Sequence, residues 1–259
     1  MLAREQSLWK TAHYSERQTA GPTSMSKPRL DQPGLIQVAG VIDQAEAEVL
    51  VACGVRFLGF PLRLPVNAED LTEAQAARII RALPPECCGV LITYADTADE
   101  VLALCRDLGA GAVQLHGPIA AAELARIRAA APALGMIKSL VVGEPSSRGL
   151  RQTVEAAAPH VDAFITDTFD PATGASGATG KTHDWAVSRD LVALSPRPVI
   201  LAGGLTPDNV ADAVRAVAPA GVDAHTGLEG ADGRKDPERL RRFIAEAKAA
   251  FRQTAHRGG

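Results

Sequence analysis

The chain has 259 residues, 46% of them hydrophobic and 22% charged, with a formal net charge of −3. That length suits a single (β/α)8 barrel, commonly about 250 residues, as well as two small domains, and the composition is that of an ordinary globular protein. The charge excludes the basic field that nucleic acid or an anionic membrane surface would require, and no apolar run approaches the roughly 18 residues needed to cross a bilayer.

Residues 1–33 mix polar, charged, proline and glycine positions without sustained apolar periodicity. They are expected to form a disordered extension, with Met25 as the natural start, ahead of a barrel over residues 34–259. The stretch lacks the apolar core of a secretory signal. The four cysteines, Cys53, Cys87, Cys88 and Cys105, make no C-x-x-C pair, so reduced thiols in a cytoplasmic protein are expected.

From residue 35 onward, short apolar runs alternate with helical patterns, the signature of parallel βα units. The first run covers 35–41 and its helix 43–53, with Asp43 as N-cap and Gly54 as the stop. The second strand is 56–60, with a helix from Thr72 to the residues before Pro84-Pro85. The third is 89–93 and its helix 97–108; the fourth is 111–115, with an alanine-rich helix after Pro118. The fifth, 135–141, precedes a helix near 150–158. The sixth is 162–166, followed by a long glycine-rich loop and a helix around 185–194. The seventh is 198–202, with a helix beginning at Thr206-Pro207, and the eighth is 221–224, with a last helix over 236–251. Eight continuous apolar strands in alternation with helices predict a closed α/β barrel of the TIM type rather than an open doubly wound sheet.

In such a barrel the working residues sit at strand C-termini and in the βα loops. Ala202-Gly203-Gly204-Leu205 ends the seventh strand, and Asp223-Ala224-His225-Thr226-Gly227 ends the eighth. Adjacent glycines let backbone N–H groups approach an anion, and loops seven and eight are where barrel phosphate sites form, so Gly203, Gly204, Thr226 and Gly227 are candidate phosphate ligands. Asp167 follows the sixth apolar run and is a candidate general acid or base; His116 and Asp223 occupy similar strand ends and are candidate substrate-binding residues. The segment 174–182 is similar to a P-loop but has the wrong spacing, and is expected to be a mobile lid instead.

Taken in order, Gln114-Leu115-His116-Gly117, Asp167, Gly180-Lys181-Thr182-His183-Asp184-Trp185, Leu201-Ala202-Gly203-Gly204-Leu205-Thr206-Pro207-Asp208-Asn209-Val210 and Gly221-Val222-Asp223 with Lys235-Asp236 resemble the phosphoribosylanthranilate isomerase family of tryptophan biosynthesis. The resemblance spans residues 35–251. It implies an Amadori rearrangement of an aminoaldose phosphate to an aminoketose phosphate, with no metal or organic cofactor. It also implies that Asp167 is the general acid on the ring oxygen and that Gly203, Gly204, Thr226 and Gly227 lie at the phosphate.

The chain departs from the family pattern at the reactive end. Where the family ends its first strand Lys-(Ile/Val)-Cys-Gly, with the cysteine as base, this chain has Gln37-Val38-Ala39-Gly40. The family's basic segment after strand two is replaced by Val66-Asn67-Ala68-Glu69-Asp70, with Arg63 nearby as a compensating cation. A serine pair has become His225-Thr226, and His183 stands where an aromatic is usual. The position of the missing base is therefore Ala39, with His225, Glu69 or a water as its replacement. Three readings follow: the family's isomerase, an isomerase or lyase acting on another sugar phosphate with Asp167 and His225 as acid–base pair, and a non-catalytic phosphosugar-binding barrel. The expected partner is a small phosphorylated sugar, and the expected state a monomer or homodimer.

Overall fold

The structure is a computed structural model and describes residues 27–65, 69–142, 147–170, 175–176 and 184–255; for residues 147–148, 169–170 and 175–176 it describes the backbone alone. Eight parallel strands form the barrel: β1 (Leu35–Val38), β2 (Phe57–Pro61), β3 (Cys88–Thr93), β4 (Ala112–Leu115), β5 (Gly135–Val142), β6 (Ala163–Asp170), β7 (Val199–Leu201) and β8 (Gly221–Ala224). Each pairs with the next, β5 with β6 included, and β8 returns to β1 in the register Gln37↔Asp223, which closes the ring. Eight helices follow their strands in turn: α1 (Gln44–Ala52), α2 (Glu73–Ala82), α3 (Ala98–Leu108), α4 (Ala121–Ala130), α5 (Ser147–Ala157), α6 (Trp185–Leu194), α7 (Val210–Val217) and α8 (Pro237–Ala255). The closed (β/α)8 barrel read from the apolar runs is the observed fold. Among the described residues no helix is long and apolar enough to cross a membrane.

Local signals account for most boundaries. The Asp43 carboxylate accepts from Glu46 N and starts α1, while Thr72 and Gln75 make a reciprocal capping box at the start of α2. Gly109, at φ +76°, ends α3 with a left-handed cap. Several boundaries differ from expectation: β1 ends at Val38 rather than 41 and α8 runs to Ala255 rather than 251, and two more differences, in β6 and α7, have a visible cause. β6 runs four residues past Thr166, because β5 pairs with it as far as Val142↔Thr168 and a two-residue antiparallel strand, Ala175–Ser176, pairs with its tip. α7 begins at Val210 rather than Thr206, because Asn209 Oδ1 accepts from Thr206 N and folds residues 206–209 into a turn.

Strand side chains alternate between two packed layers. Outward residues such as Val38, Leu58, Leu91 and Phe164 pack against the helices, with Phe243 of α8 among their neighbours. Inward residues Leu35, Val90, Ala112, Ile137, Ala163 and Ile200 fill the lower barrel around Leu30. Leu30 is 2% exposed and Lys27 pairs with Asp162 at 2.6 Å, so the segment from residue 27 packs under the barrel as part of the domain. The expected boundary at residue 33 moves back accordingly; residues 1–26, Met25 among them, lie outside the described residues. Above the apolar layers the inward face turns polar, with buried Gln37, Gln114, Ser139, Asp167 and Asp223. The chemistry is therefore confined to the C-terminal end of the strands.

Candidate active site

Two glycine-bearing loops meet at the ends of β7 and β8. Gly203 and Gly204 both have positive φ, 101° and 62°, conformations that side-chain-bearing residues rarely adopt. Asn209 Nδ2 donates to Gly204 O at 2.9 Å, which holds the turn against α7. On β8, His225 precedes a short 3-10 turn, Thr226–Leu228. A Cβ on Gly227 would lie 2.0 Å from Leu205 O, so only glycine lets the two loops come this close. Among the described residues no backbone carbonyl accepts from the N–H of Gly203, Gly204, Thr226 or Gly227. These donors line a small cleft of about 50 Å³ whose other walls are Asp167, Thr168 and Asp223. Unpaired N–H groups gathered in a narrow cleft are donors that suit an anion such as a phosphate.

Asp167 projects from β6 at the edge of that cleft and is 5% exposed. Its Oδ1 accepts from Thr168 N at 2.8 Å, and its Oδ2 lies 2.6 Å from His116 Nε2, a close contact off the ring N–H axis. His116 Nδ1 is 3.1 Å from Ser139 Oγ, so serine, imidazole and carboxylate form a chain from β5 across β4 to β6. The Tyr94 ring meets the His116 ring edge-on, with centroids 4.9 Å apart. Burial and the Asp167 charge push the Tyr94 phenol up to about 12, which keeps it a neutral donor. Lys138 sits beneath, its ammonium donating to Leu115 O, Gly117 O and Ser139 O and so pinning the loop that carries His116. Burial lowers its pKa to about 8, opposed by the Asp167 charge. Beside this chain opens a cavity of about 870 Å³, bordered by Tyr94, Lys138, Leu150 and Thr153, large enough for an aromatic group.

The end of β1 is braced from the far end of the chain. Gly40, at φ +76°, turns the backbone, and its carbonyl accepts from Lys235 Nζ at 3.2 Å. Lys235 also pairs with Glu229 at 3.0 Å, while its own N–H donates to Glu46. His225 Nε2 lies 3.4 Å from the same Glu229 oxygen, and the ring occupies the space a Gly40 Cβ would need. Burial and the Lys235 charge hold the imidazole down at about 4, so it is neutral. Ala39 offers only its methyl group.

Below this rim, Gln37 Nε2 donates to Gln114 Oε1 at 2.8 Å across the barrel. Asp223 stands beside Gln37 on the next strand, with Oδ1 lacking a partner among the described residues. Burial raises its pKa to about 7, against the pull of the Gln37 amide.

Arg63 is not brought to the cleft. In a left-handed conformation, φ 55°, it donates from its backbone to Glu69 and from its guanidinium to Glu73 at 2.8 Å and Glu100 at 2.5 Å. Its charge is neutralised on the helix rim, because the first turns of α2 and α3 both present carboxylates there. Glu69 belongs to this cluster and not to the reactive end. Residues 66–68, His183 and most of the glycine-rich segment expected to form a lid lie outside the described residues.

The family model described as "N-(5'phosphoribosyl)anthranilate (PRA) isomerase" matches residues 38–246. Among relatives, N-(5'-phosphoribosyl)anthranilate isomerase from Haloferax volcanii is 40% identical over 216 residues, covering 83% of this chain and 93% of that protein. N-(5'-phosphoribosyl)anthranilate isomerase 2 from Methanosarcina mazei is 37% identical over 217 residues, covering 83% and 95%. The chain belongs to the phosphoribosylanthranilate isomerase family. The solved phosphoribosyl anthranilate isomerase from Thermotoga maritima superimposes with a TM-score of 0.70 at 26% identity, over 83% of this chain and 99% of that one.

In this member of the phosphoribosylanthranilate isomerase family, Asp167 and Asp223 line one cleft with the two glycine-bearing loops, and His116 touches Asp167 from the neighbouring cavity. Sequence reasoning overlooked Tyr94, Lys138 and Ser139. A lysine inside the apolar run 135–141 was a usable signal, since a buried ammonium needs several acceptors and therefore marks a place where loops are gathered. Tyr94 directly follows β3 and Ser139 shares the inward row of Ile137, positions that the strand-end rule would have included. Among the described residues no group of three or more His, Cys, Asp or Glu could hold a metal ion.

Proposed function

We propose that this chain is a cytoplasmic enzyme of tryptophan biosynthesis that isomerises N-(5'-phosphoribosyl)anthranilate to the corresponding aminoketose phosphate, using its own side chains and no cofactor. The observation that carries the reading is the placement of the buried Asp167 carboxyl on the wall of the same cleft as the unpaired N–H groups of Gly203, Gly204, Thr226 and Gly227. A phosphate bound there anchors the sugar with its ring oxygen toward Asp167, and the aromatic group takes the larger cavity beside Tyr94. Asp167 protonates the ring oxygen, the C1–O bond opens, and the anthranilate nitrogen supplies the electron pair that makes the C1=N iminium. His116 holds the acid in place through the 2.6 Å contact and is itself set by Ser139.

The test is turnover of N-(5'-phosphoribosyl)anthranilate, followed by loss of anthranilate fluorescence, for the wild type and Asp167→Asn. Removal of a positioned acid is expected to lower kcat by about 10²–10⁴-fold while phosphate affinity is retained. The neutralised Arg63 favours a second reading, a substrate without the anthranilate carboxylate. A silent wild type that still binds sugar phosphates would select it.

A further inference from the structure

The proposed isomerisation also needs a base for the sugar C2 proton, and the methyl group of Ala39 cannot serve. Three groups compete for the role. Glu69 is held at the Arg63 cluster on the helix rim. His225 is neutral, but its ring is packed over Gly40 with Nε2 turned toward Glu229, so one nitrogen is committed away from the cleft. Asp223 differs from both. It projects inward from β8, is 9% exposed, lines the cleft shared with Asp167 and the phosphate loops, and its Oδ1 has no partner among the described residues.

A buried carboxylate oxygen without a donor is costly unless something brought to it completes the arrangement. We propose that Asp223 is the general base, acting from β8 in place of the first-strand position that Ala39 occupies. This rests on the isomerase reading given above. In the step, an Asp223 oxygen takes the C2 proton and becomes the carboxylic acid. The C2–H pair becomes the C1=C2 bond, and the iminium π pair returns to nitrogen, giving the enolamine that tautomerises to the ketone.

The surroundings suit this role. Gln37, paired with Asp223 across β1 and β8, is neutral: its amide lowers the carboxyl's pKa but adds no charge against it. The charged and titratable groups that face it are Asp167 from β6, His116 from the end of β4 and Lys235 from the segment before α8, whose ammonium is already engaged by Glu229 and Gly40 O. Burial outweighs the Gln37 amide, His116 and Lys235 and brings the carboxyl to about 7, near the pH at which a base is most effective. Gln37 and Ala39 stand two residues apart on one inward row: the first puts no charge beside Asp223, and the second nothing larger than a methyl group.

The experiment compares wild type, Asp223→Asn and Gln37→Lys. It measures turnover of protio and C2-deuterated N-(5'-phosphoribosyl)anthranilate across pH, and inorganic phosphate binding by calorimetry. Asp223→Asn is expected to bind phosphate as the wild type does and to lose about 10²–10⁴-fold in kcat. Gln37→Lys, which sets a cation against the carboxyl, is expected to move the acid limb of kcat/KM down from near pH 7 by about one unit or more. Asp223→Asn activity within about threefold of wild type, or an acid limb unmoved by Gln37→Lys, overturns the assignment of the base. A wild type with no turnover overturns the isomerase reading and this one with it, an outcome distinct from loss confined to the variants.

Discussion

An Asp223→Asn variant is expected to lie within about 1 kcal/mol of the wild type in stability near about pH 4 and to exceed it clearly near about pH 8.5. Burial pushes the Asp223 pKa up from 3.8 to about 7, with the Asp167 charge adding to it and Gln37, His116 and Lys235 opposing it. The folded state therefore prefers the protonated carboxyl. The contribution is fully present below about pH 4 and is lost as pH rises through the folded value near 7. At about 1.36 kcal/mol for each tenfold difference in acidity, the gap is worth up to about 4 kcal/mol at alkaline pH. An asparagine keeps the shape and carries no charge, so it escapes this loss. Urea unfolding at the two pH values, with equal m-values confirming a comparable unfolded state, measures the difference directly. A stability difference that stays constant to within about 0.5 kcal/mol between them would show that Asp223 is not a desolvated ionising group, and the reasoning that makes it basic would fail with it.

Two further outcomes follow from the same geometry. In Gly227→Ala the new methyl group would meet Leu205 O at 2.0 Å, forcing the phosphate loops apart; inorganic phosphate affinity is expected to fall by at least about tenfold, with KM rising and kcat little changed. Gly40→Ala places a Cβ 2.0 Å from His225 Nε2 at a φ of +76° and is expected to cost about 1–3 kcal/mol in chemical denaturation. Combining it with His225→Ala should recover the part due to the ring clash, and a double variant no more stable than Gly40→Ala would locate the whole cost in the backbone.

The barrel was legible because strands buried on both faces must be apolar throughout, and runs such as Val90-Leu91-Ile92 are unmistakable against the helical patterns between them. The extent of β6 was not, since its last four residues are held by pairing with β5 and Ala175–Ser176 rather than by their own hydrophobicity. Thr206-Pro207 has the sequence of a helix start, yet side-chain bonds, among them Thr206 N to Asn209 Oδ1 and Asp208 N to Thr206 Oγ1, hold it as a turn. In the site, the tight turn after β7 was legible in Gly203-Gly204, where a backbone demand is written in residue type. Arg63 misled because the carboxylates that capture it, Glu73 and Glu100, arrive from two later helices. The orphaned Asp223 oxygen was invisible for a similar reason: its neighbour Gln37 is brought alongside only when the last strand meets the first.

That meeting has a temporal side. Lys235 reaches Gly40 O across 195 positions of chain, its backbone reaches Glu46 across 189, and Arg234 clasps Asp43 across 191. At roughly 5–20 residues per second of synthesis, β1 waits about 10–40 s before the segment that braces it exists. Through that interval the nascent sheet has an unpaired first edge, the kind of edge that invites pairing with another chain. A ribosome that stalls within the last loop thus leaves a chain with all eight strands made and the brace on β1 still missing.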